Sequence, residues 1–373
     1  MRISAIETRM VRIPLKPERR MVSALGRHDH SDFLLLRLCT DAGIEGVGEA
    51  TVTPQWSGET VWGAKALIDR VLAPLLLGRD PRDIDDIDRT MARRVVGNWF
   101  ARAAVEMACW DVIGRSENRP VFELLGGAVR PLTVKSRFSL GAYPPDVAAE
   151  RAAERVAAGF DTIKVKVGTD PQEDIERVRA VRAAVGEATT ITIDANGGWD
   201  FDTALRCVRA LEPVGVAWVE QPLPRGEYTR LRRLKERTGC RVLADESCFD
   251  LVQAEELITQ GCCDALTVYP GKNGGIARAR AIAALAEEHG IPCTIGSNLE
   301  WDVATAAMMH LVVGTPNMQV ERLPGDCLGP SYHEFSVAKD PLPIDGPFTT
   351  LPRRPGLGVE VDWDRVAAHV LPD

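Results

Sequence analysis

The chain is short of the features that several common functional classes need. Its nine cysteines are an odd count and form no Cys-x-x-Cys pair, and the adjacent Cys262 and Cys263 lack zinc-ligand spacing, which argues against a disulfide framework and a structural zinc site. Reduced thiols and a cytoplasmic location are therefore expected. Histidine is scarce, at six residues: His28 and His30 fall in an N-terminal loop, His289 ends a helix, and His310, His333 and His369 lie away from any expected strand end. No histidine is placed to bind a metal. The net charge of −8 gives no general attraction to nucleic acid or to an anionic membrane. No stretch approaches the roughly 20 apolar residues of a membrane span, and the first ten residues lack the apolar segment of a signal peptide.

What is present is an ordinary globular composition, 45% hydrophobic and 26% charged over 373 residues, enough for a large core and two domains. Residues 1–127 read as an α+β capping domain. Ile3 to Leu15, Phe33 to Cys39 and Ile44 to Gly48 form an antiparallel meander turning at Asp41 to Gly43, and helical spacing follows over 59–77, 81–95 and 99–116. Residues 128–330 alternate strands and amphipathic helices, with strands near 132–139, 161–167, 190–194, 216–220, 241–245, 264–269, 292–296 and 317–321. Eight such units predict a (β/α)8-type barrel. The tail, 331–373, is expected to return to the capping domain.

Charged residues end four of these strands. Lys166, Asp194, Glu220 and Asp245 recur every 25 to 28 residues, close to the roughly 30-residue advance of a barrel unit, whose C-terminal strand ends carry the chemistry. The three acids offer only oxygen, which suits a hard cation, Mg²⁺ with Mn²⁺ as a substitute, rather than zinc. Lys164 and Lys166 alternate with Val165 and Val167, so both ammonium groups share the interior face of their strand. Burial there demands compensating carboxylates, a bound anion or a lowered pKa. Asn196 and Glu246 follow two of the acids closely enough to support them.

Lys164 to Gly168 (Lys-Val-Lys-Val-Gly), Asp194-Ala195-Asn196, Glu220-Gln221-Pro222 and Ala244 to Ser247 (Ala-Asp-Glu-Ser), in this order, resemble the enolase superfamily over nearly the whole chain. Gly48 to Trp56, Gly274-Gly275 and Gly296 to Glu300, including Asn298, are most similar to its muconate lactonizing branch, and the lack of a seventh-strand histidine separates it from the mandelate racemase branch. The resemblance implies Mg²⁺ on Asp194, Glu220 and Asp245, a small carboxylate substrate whose α-carbon gains or loses a proton through an enediolate, Lys166 as acid/base with its pKa lowered by its neighbours, and Lys164 as a second cation at the carboxylate. It also implies a homo-oligomer, and substrate closure by Met21 to His30 and by Thr51 to Glu59 with Trp56.

One position departs from this pattern. Where relatives carry a second lysine at the end of the sixth strand, this chain has Tyr269, either a neutral proton donor or an aromatic wall; Lys272, three residues on, reads as a solvated loop lysine that could instead curl into the site. Asp326, in Gly325 to Pro330, resembles the acid after the eighth strand, and Glu321 lies nearer that strand's end; either orients a base or water, or serves a turn. The expected activity is a muconate-cycloisomerase-like isomerase. The alternatives are a dehydratase of hydroxy or sugar acids, a racemase or epimerase, a Schiff-base aldolase using Lys166, and a non-catalytic binding protein.

Overall fold

The computed structural model describes residues 1–372. Strand β1 (Ile3–Pro14) is followed by a hairpin, β2 (Met21–Ser23) and β3 (Gly26–His28), and then by β4 (His30–Thr40) and β5 (Glu45–Val52). The meander is antiparallel in the order β1-β4-β5, as its hydrophobic alternation requires. The small hairpin falls in the expected Met21–His30 loop; three-residue strands are too short to carry a recognisable alternation. Helices over Val61–Leu76, Ile84–Ala92 and Trp99–Glu117 pack behind the meander, the first continuing through a π-turn at Ile68–Leu72.

β6 (Thr133–Lys135) and β7 (Phe138–Leu140) divide the expected first barrel strand. β6 pairs instead with β15 (Phe348–Thr350), which forms a tail hairpin with β14 (Ile344–Asp345). The barrel strands are β7, β8 (Thr162–Lys166), β9 (Thr190–Asp194), β10 (Trp218–Glu220), β11 (Val242–Ala244), β12 (Ala265–Thr267) and β13 (Cys293–Thr294), one parallel sheet of seven in sequential order. The expected eighth strand is not a regular one. Its segment bonds to β13 through Asn317 and Gln319 and to Arg137, just before β7, through the Gly325 carbonyl. Pro316 and Pro324 flank it, and a residue without an N–H cannot maintain a ladder. The tail touches the meander where the Leu371 N–H donates to the Met10 carbonyl and the Glu334 N–H to that of Pro14.

Between meander and barrel lies helix Trp99–Glu117, buried on nearly every side. β5 meets it at Gly48, where a Cβ would lie 1.8 Å from the Ala104 carbonyl oxygen. Buried carboxylates of the N-terminal residues then bind the ends of barrel helices. Glu106 accepts from the N–H groups of Ile276 and Ala277, at the start of helix Ile276–Glu288. Glu49 accepts from those of Trp301 and Ala304, at the start of helix Asp302–Gly314. A helix N-terminus leaves its first N–H groups unpaired and favours negative charge, so these acids satisfy both needs at once. Burial nonetheless pushes each carboxyl up to about 7.

The Gly274-Gly275 pair acquires a physical reason here. Gly275 has φ +133°, and a Cβ on it would lie 2.6 Å from the Glu106 carboxyl carbon. Gly275→Ala should therefore expel Glu106 from its cap and lower stability by about 3 kcal/mol or more. The urea midpoint measures this; an unchanged midpoint would show that the close approach is not required.

Candidate active site

Parallel register puts the charged strand ends in one row. Lys166 on β8 is the Cα partner of Asp194 on β9, which in turn is the partner of Glu220 on β10; neighbouring strands are about 4.8 Å apart. Asp245 follows directly on β11. The residues after these acids take unusual backbone angles, Asn196 with φ +44° and Gln221 with φ +33°, a left-handed conformation that costs energy for side chains other than glycine. Gln221 holds its turn by donating to the Leu223 carbonyl and the Ser247 hydroxyl and accepting from the N–H groups of Asp245 and Ser247. It thereby locks the ends of β10 and β11 together, a task invisible in the sequence because its partners lie 24 and 26 residues away.

The two lysines share the interior face. Lys164 Nζ lies 2.9 Å from Asp194 Oδ2 and 2.9 Å from Glu220 Oε1, and Lys166 Nζ lies 2.6 Å from Asp194 Oδ2 and 2.8 Å from Asn196 Oδ1. Burial and nearby Arg137 oppose the charge on Lys164, yet Asp194 and Glu220 outweigh them and hold its pKa above the ordinary value. Asp194 is held far below the usual carboxylate range because the two lysines overcome the burial that would raise it. Glu220 goes the other way: burial raises it despite Lys164 and a 3.2 Å contact with Arg137. Carboxylates, then, compensate the buried ammonium groups.

Lys272 corrects the expectation of a solvated lysine. The turn Pro270–Asn273 sends its stem back into the barrel, where Nζ lies 2.8 Å from Asp245 Oδ1, 2.9 Å from the Asp245 carbonyl and 2.6 Å from the Thr267 carbonyl. These three acceptors use all three donors of an ammonium group. Tyr269 is fully buried, its hydroxyl bonded to nothing among the described residues. It packs near Trp56, with ring centroids 6.1 Å apart, and is not among the residues lining the cleft. Burial raises its pKa well above the phenol value.

The cleft above the strand ends, about 810 Å³ including its mouth, is lined by Lys164, Lys166, Asp194, Asn196, Asp245 and Asp326 below and by the β2–β3 hairpin and Trp56 above. Asp326 accepts from the Ser139 hydroxyl and from the Leu328 N–H. Glu246 joins floor to roof, accepting from Asn196 Nδ2 at 2.8 Å and Trp56 Nε1 at 3.0 Å, while burial and then Asp245 push its carboxyl up to about 8. Glu300 shapes the seventh loop by accepting from Ser297 and from the Asn298 N–H, and burial pushes it to about 8 as well. Asn298 crosses to the other domain, meeting Thr53 and the Thr51 carbonyl. Glu321 must be removed from the candidates: it is 62% exposed and paired with Arg130 away from the cleft. Arg27 and His28 line the cleft from within the expected closing segment Met21 to His30, and Ser139 lines it without having been singled out. The alternation that exposed the lysines would have flagged Ser139.

Among the described residues no three acidic, histidine or cysteine side chains are gathered round a common point, because each acid of the row already has a cationic partner. The donor set still fits a hard divalent cation. It is all oxygen, it comes from adjacent strand ends, and the Lys164 ammonium between Asp194 and Glu220 marks a place that needs positive charge.

Two family descriptions match the chain. Residues 5–126 match the mandelate racemase / muconate lactonizing enzyme N-terminal domain, and residues 147–365 the enolase C-terminal domain-like family. A chloromuconate cycloisomerase of Cupriavidus necator is 34% identical over 98% of both chains. Among solved structures, N-succinyl Arg/Lys racemase from Bacillus cereus superposes with a TM-score of 0.95 at 29% identity, covering 100% of this chain and 99% of its own. The dipeptide epimerase of Enterococcus faecalis, complexed with Mg and L-Leu-L-Tyr, gives 0.90 at 31%, covering 96% and 100%.

Proposed function

Since the chain belongs to the mandelate racemase / muconate lactonizing enzyme family of the enolase superfamily, we propose that it is a one-base isomerase of the cycloisomerase type, acting on a small unsaturated dicarboxylate. The observation that carries this reading is the inequality of the three lysines at the strand ends, Lys164 and Lys272 buried and Lys166 half-buried. Lys166 spends two ammonium donors on Asp194 and Asn196 and lines the cleft, leaving a third to meet a substrate carbon. Lys272 has none to spare, and the position of a second base is held by a walled-off phenol. Racemisation needs proton transfer on both faces of the α-carbon; ring closure needs it on one.

In the proposed reaction one substrate carboxylate adds to the conjugated double bond. Lys166 delivers a proton to the α-carbon of the other carboxylate and recovers it in reverse. Asp194, Glu220 and Asp245 would hold Mg²⁺, which when bound supplies positive charge to the carboxylate that takes up the developing negative charge. Lys164 stands beside that group as a fixed cation. Asn196 and Asp194 orient the Lys166 ammonium, and Trp56, by its bond to Glu246, ties the roof to the reacting end and limits water.

Tyr269→Phe tests this reading. It removes a hydroxyl that bonds to nothing among the described residues and should retain most turnover and most α-proton exchange of the lactone in deuterated water. Loss of turnover with exchange retained would transfer support to the dehydratase, where the phenol assists a leaving hydroxide. Loss of both would make Tyr269 part of proton transfer and end the one-base proposal.

A further inference from the structure

Beside the cleft, between the end of β7, helix Pro145–Ala157 and the turn Pro17–Arg19, is a narrow recess, about 260 Å³ counting the space open to solvent at its mouth, whose lining includes Arg19, Arg151, Arg155, Phe138, Tyr143 and Tyr332. The Arg19 guanidinium lies 5.0 Å from the Phe138 ring centroid and 5.3 Å from that of Tyr332, and Arg155 lies 5.0 Å from Phe138 as well, so two cations share one aromatic ring. Arg151 covers Tyr143 at 4.2 Å. The acids nearby, Glu18, Glu154 and, on the Tyr332 side, Asp326, compensate them only in part. Glu18 lines the recess from an exposed position, and Glu154 reaches Arg155 only at 3.8 Å.

Three donors here are buried with no acceptor among the described residues: Arg19 Nη1, Arg155 Nε and the hydroxyl of Tyr332, a fully buried side chain. An unpaired buried donor costs about 1–3 kcal/mol, more when charged, and a single fold rarely leaves several on one small space. A planar oxyanion would satisfy guanidinium and hydroxyl donors together and relieve the repulsion between Arg19 and Arg155. Met21 and Ser139 line both this recess and the cleft. Ser139 is the Cα partner of Lys164, so the recess begins one strand spacing from the reacting end.

We propose that this recess is an anion site for a carboxylate group, supplied either by the far end of the substrate or by a free small carboxylate that pins the Pro17–Met21 segment over the barrel. Only the first source rests on the one-base dicarboxylate reading.

Two measurements on Mg²⁺-loaded protein test it. In the first, sodium formate is titrated against wild type, Arg155→Met and Tyr332→Phe at ionic strength held constant with a bulky sulfonate, following the thermal midpoint, which rises with occupancy. The expected result is at least tenfold weaker formate affinity in Arg155→Met and a several-fold loss in Tyr332→Phe, which keeps the ring and hence the packing. In the second, the ratio of kcat/KM for a dicarboxylate to that for its monocarboxylate analogue is compared between wild type and Arg155→Met. A tenfold fall in this ratio assigns the site to the substrate; an unchanged ratio with weakened formate binding assigns it to a free anion. Equal formate responses in all three proteins together with an unchanged ratio would overturn the proposal. The formate measurement needs no turnover, so a wrong choice of reaction does not decide it.

Discussion

Lys166→Ala should lose both turnover and α-proton exchange, by about 10²–10⁴-fold or more, the usual worth of a positioned acid–base group. Two features set the size of the effect. The ammonium is aimed by Asp194 at 2.6 Å and Asn196 at 2.8 Å, and no other lysine near the strand ends can substitute, since Lys164 lies between two carboxylates and Lys272 is fully bonded. Lys164→Ala should differ in kind. It removes a fixed cation but leaves the proton carrier, so substrate binding and turnover fall together while slow exchange survives. Both rates are to be measured on each variant by mass spectrometry in deuterated water. Near-normal exchange in a folded Lys166→Ala protein would contradict the assignment.

Metal removal should abolish activity without unfolding the protein. In a site built of unpaired acids, stripping the cation would leave mutually repelling carboxylates and a large loss of stability. Here Asp194 and Glu220 keep Lys164, Glu220 also keeps Arg137, and Asp245 keeps Lys272. The chelated protein should therefore retain its circular dichroism and a thermal midpoint within a few degrees of the loaded form, with turnover restored by Mg²⁺ or Mn²⁺. Undiminished turnover after exhaustive chelation would refute metal dependence. Collapse of the fold on chelation would show that the lysines do not hold the site.

The contrast between residues that were legible in the sequence and those that were not follows from the range of their interactions. Asp194, Glu220 and Lys166 could be found because a barrel repeats, and the repeat forces strand-end residues onto one rim. Lys164 followed from period two alone. Lys272 could not be placed, because its direction is decided by the turn Pro270–Asn273 and by acceptors on two other strands. Glu321 was misplaced because the eighth segment, interrupted by prolines, does not hold a strand's register. The segment Met21 to His30 was expected over the cleft, but its strands, three residues each, are too short to be patterned as a hairpin. Glu49 and Glu106 were missed for a plainer reason: besides their local partners Thr51 and Trp110, the N–H groups they accept from lie 252 and 170 residues further on, and nothing in the sequence pairs groups so far apart.

Those two glutamates also bear on how such an enzyme can change its substrate over evolutionary time. The N-terminal half caps the starts of two barrel helices, so a foreign N-terminal module grafted onto this barrel would bring its own cleft-lining hairpin but would also have to supply acids at matching points, opposite a glycine that leaves room for one of them. Whole-module exchange is thus a poor route to new specificity. Residue-by-residue change in the hairpin, which touches neither glutamate, leaves the joint intact, and divergence is channelled there.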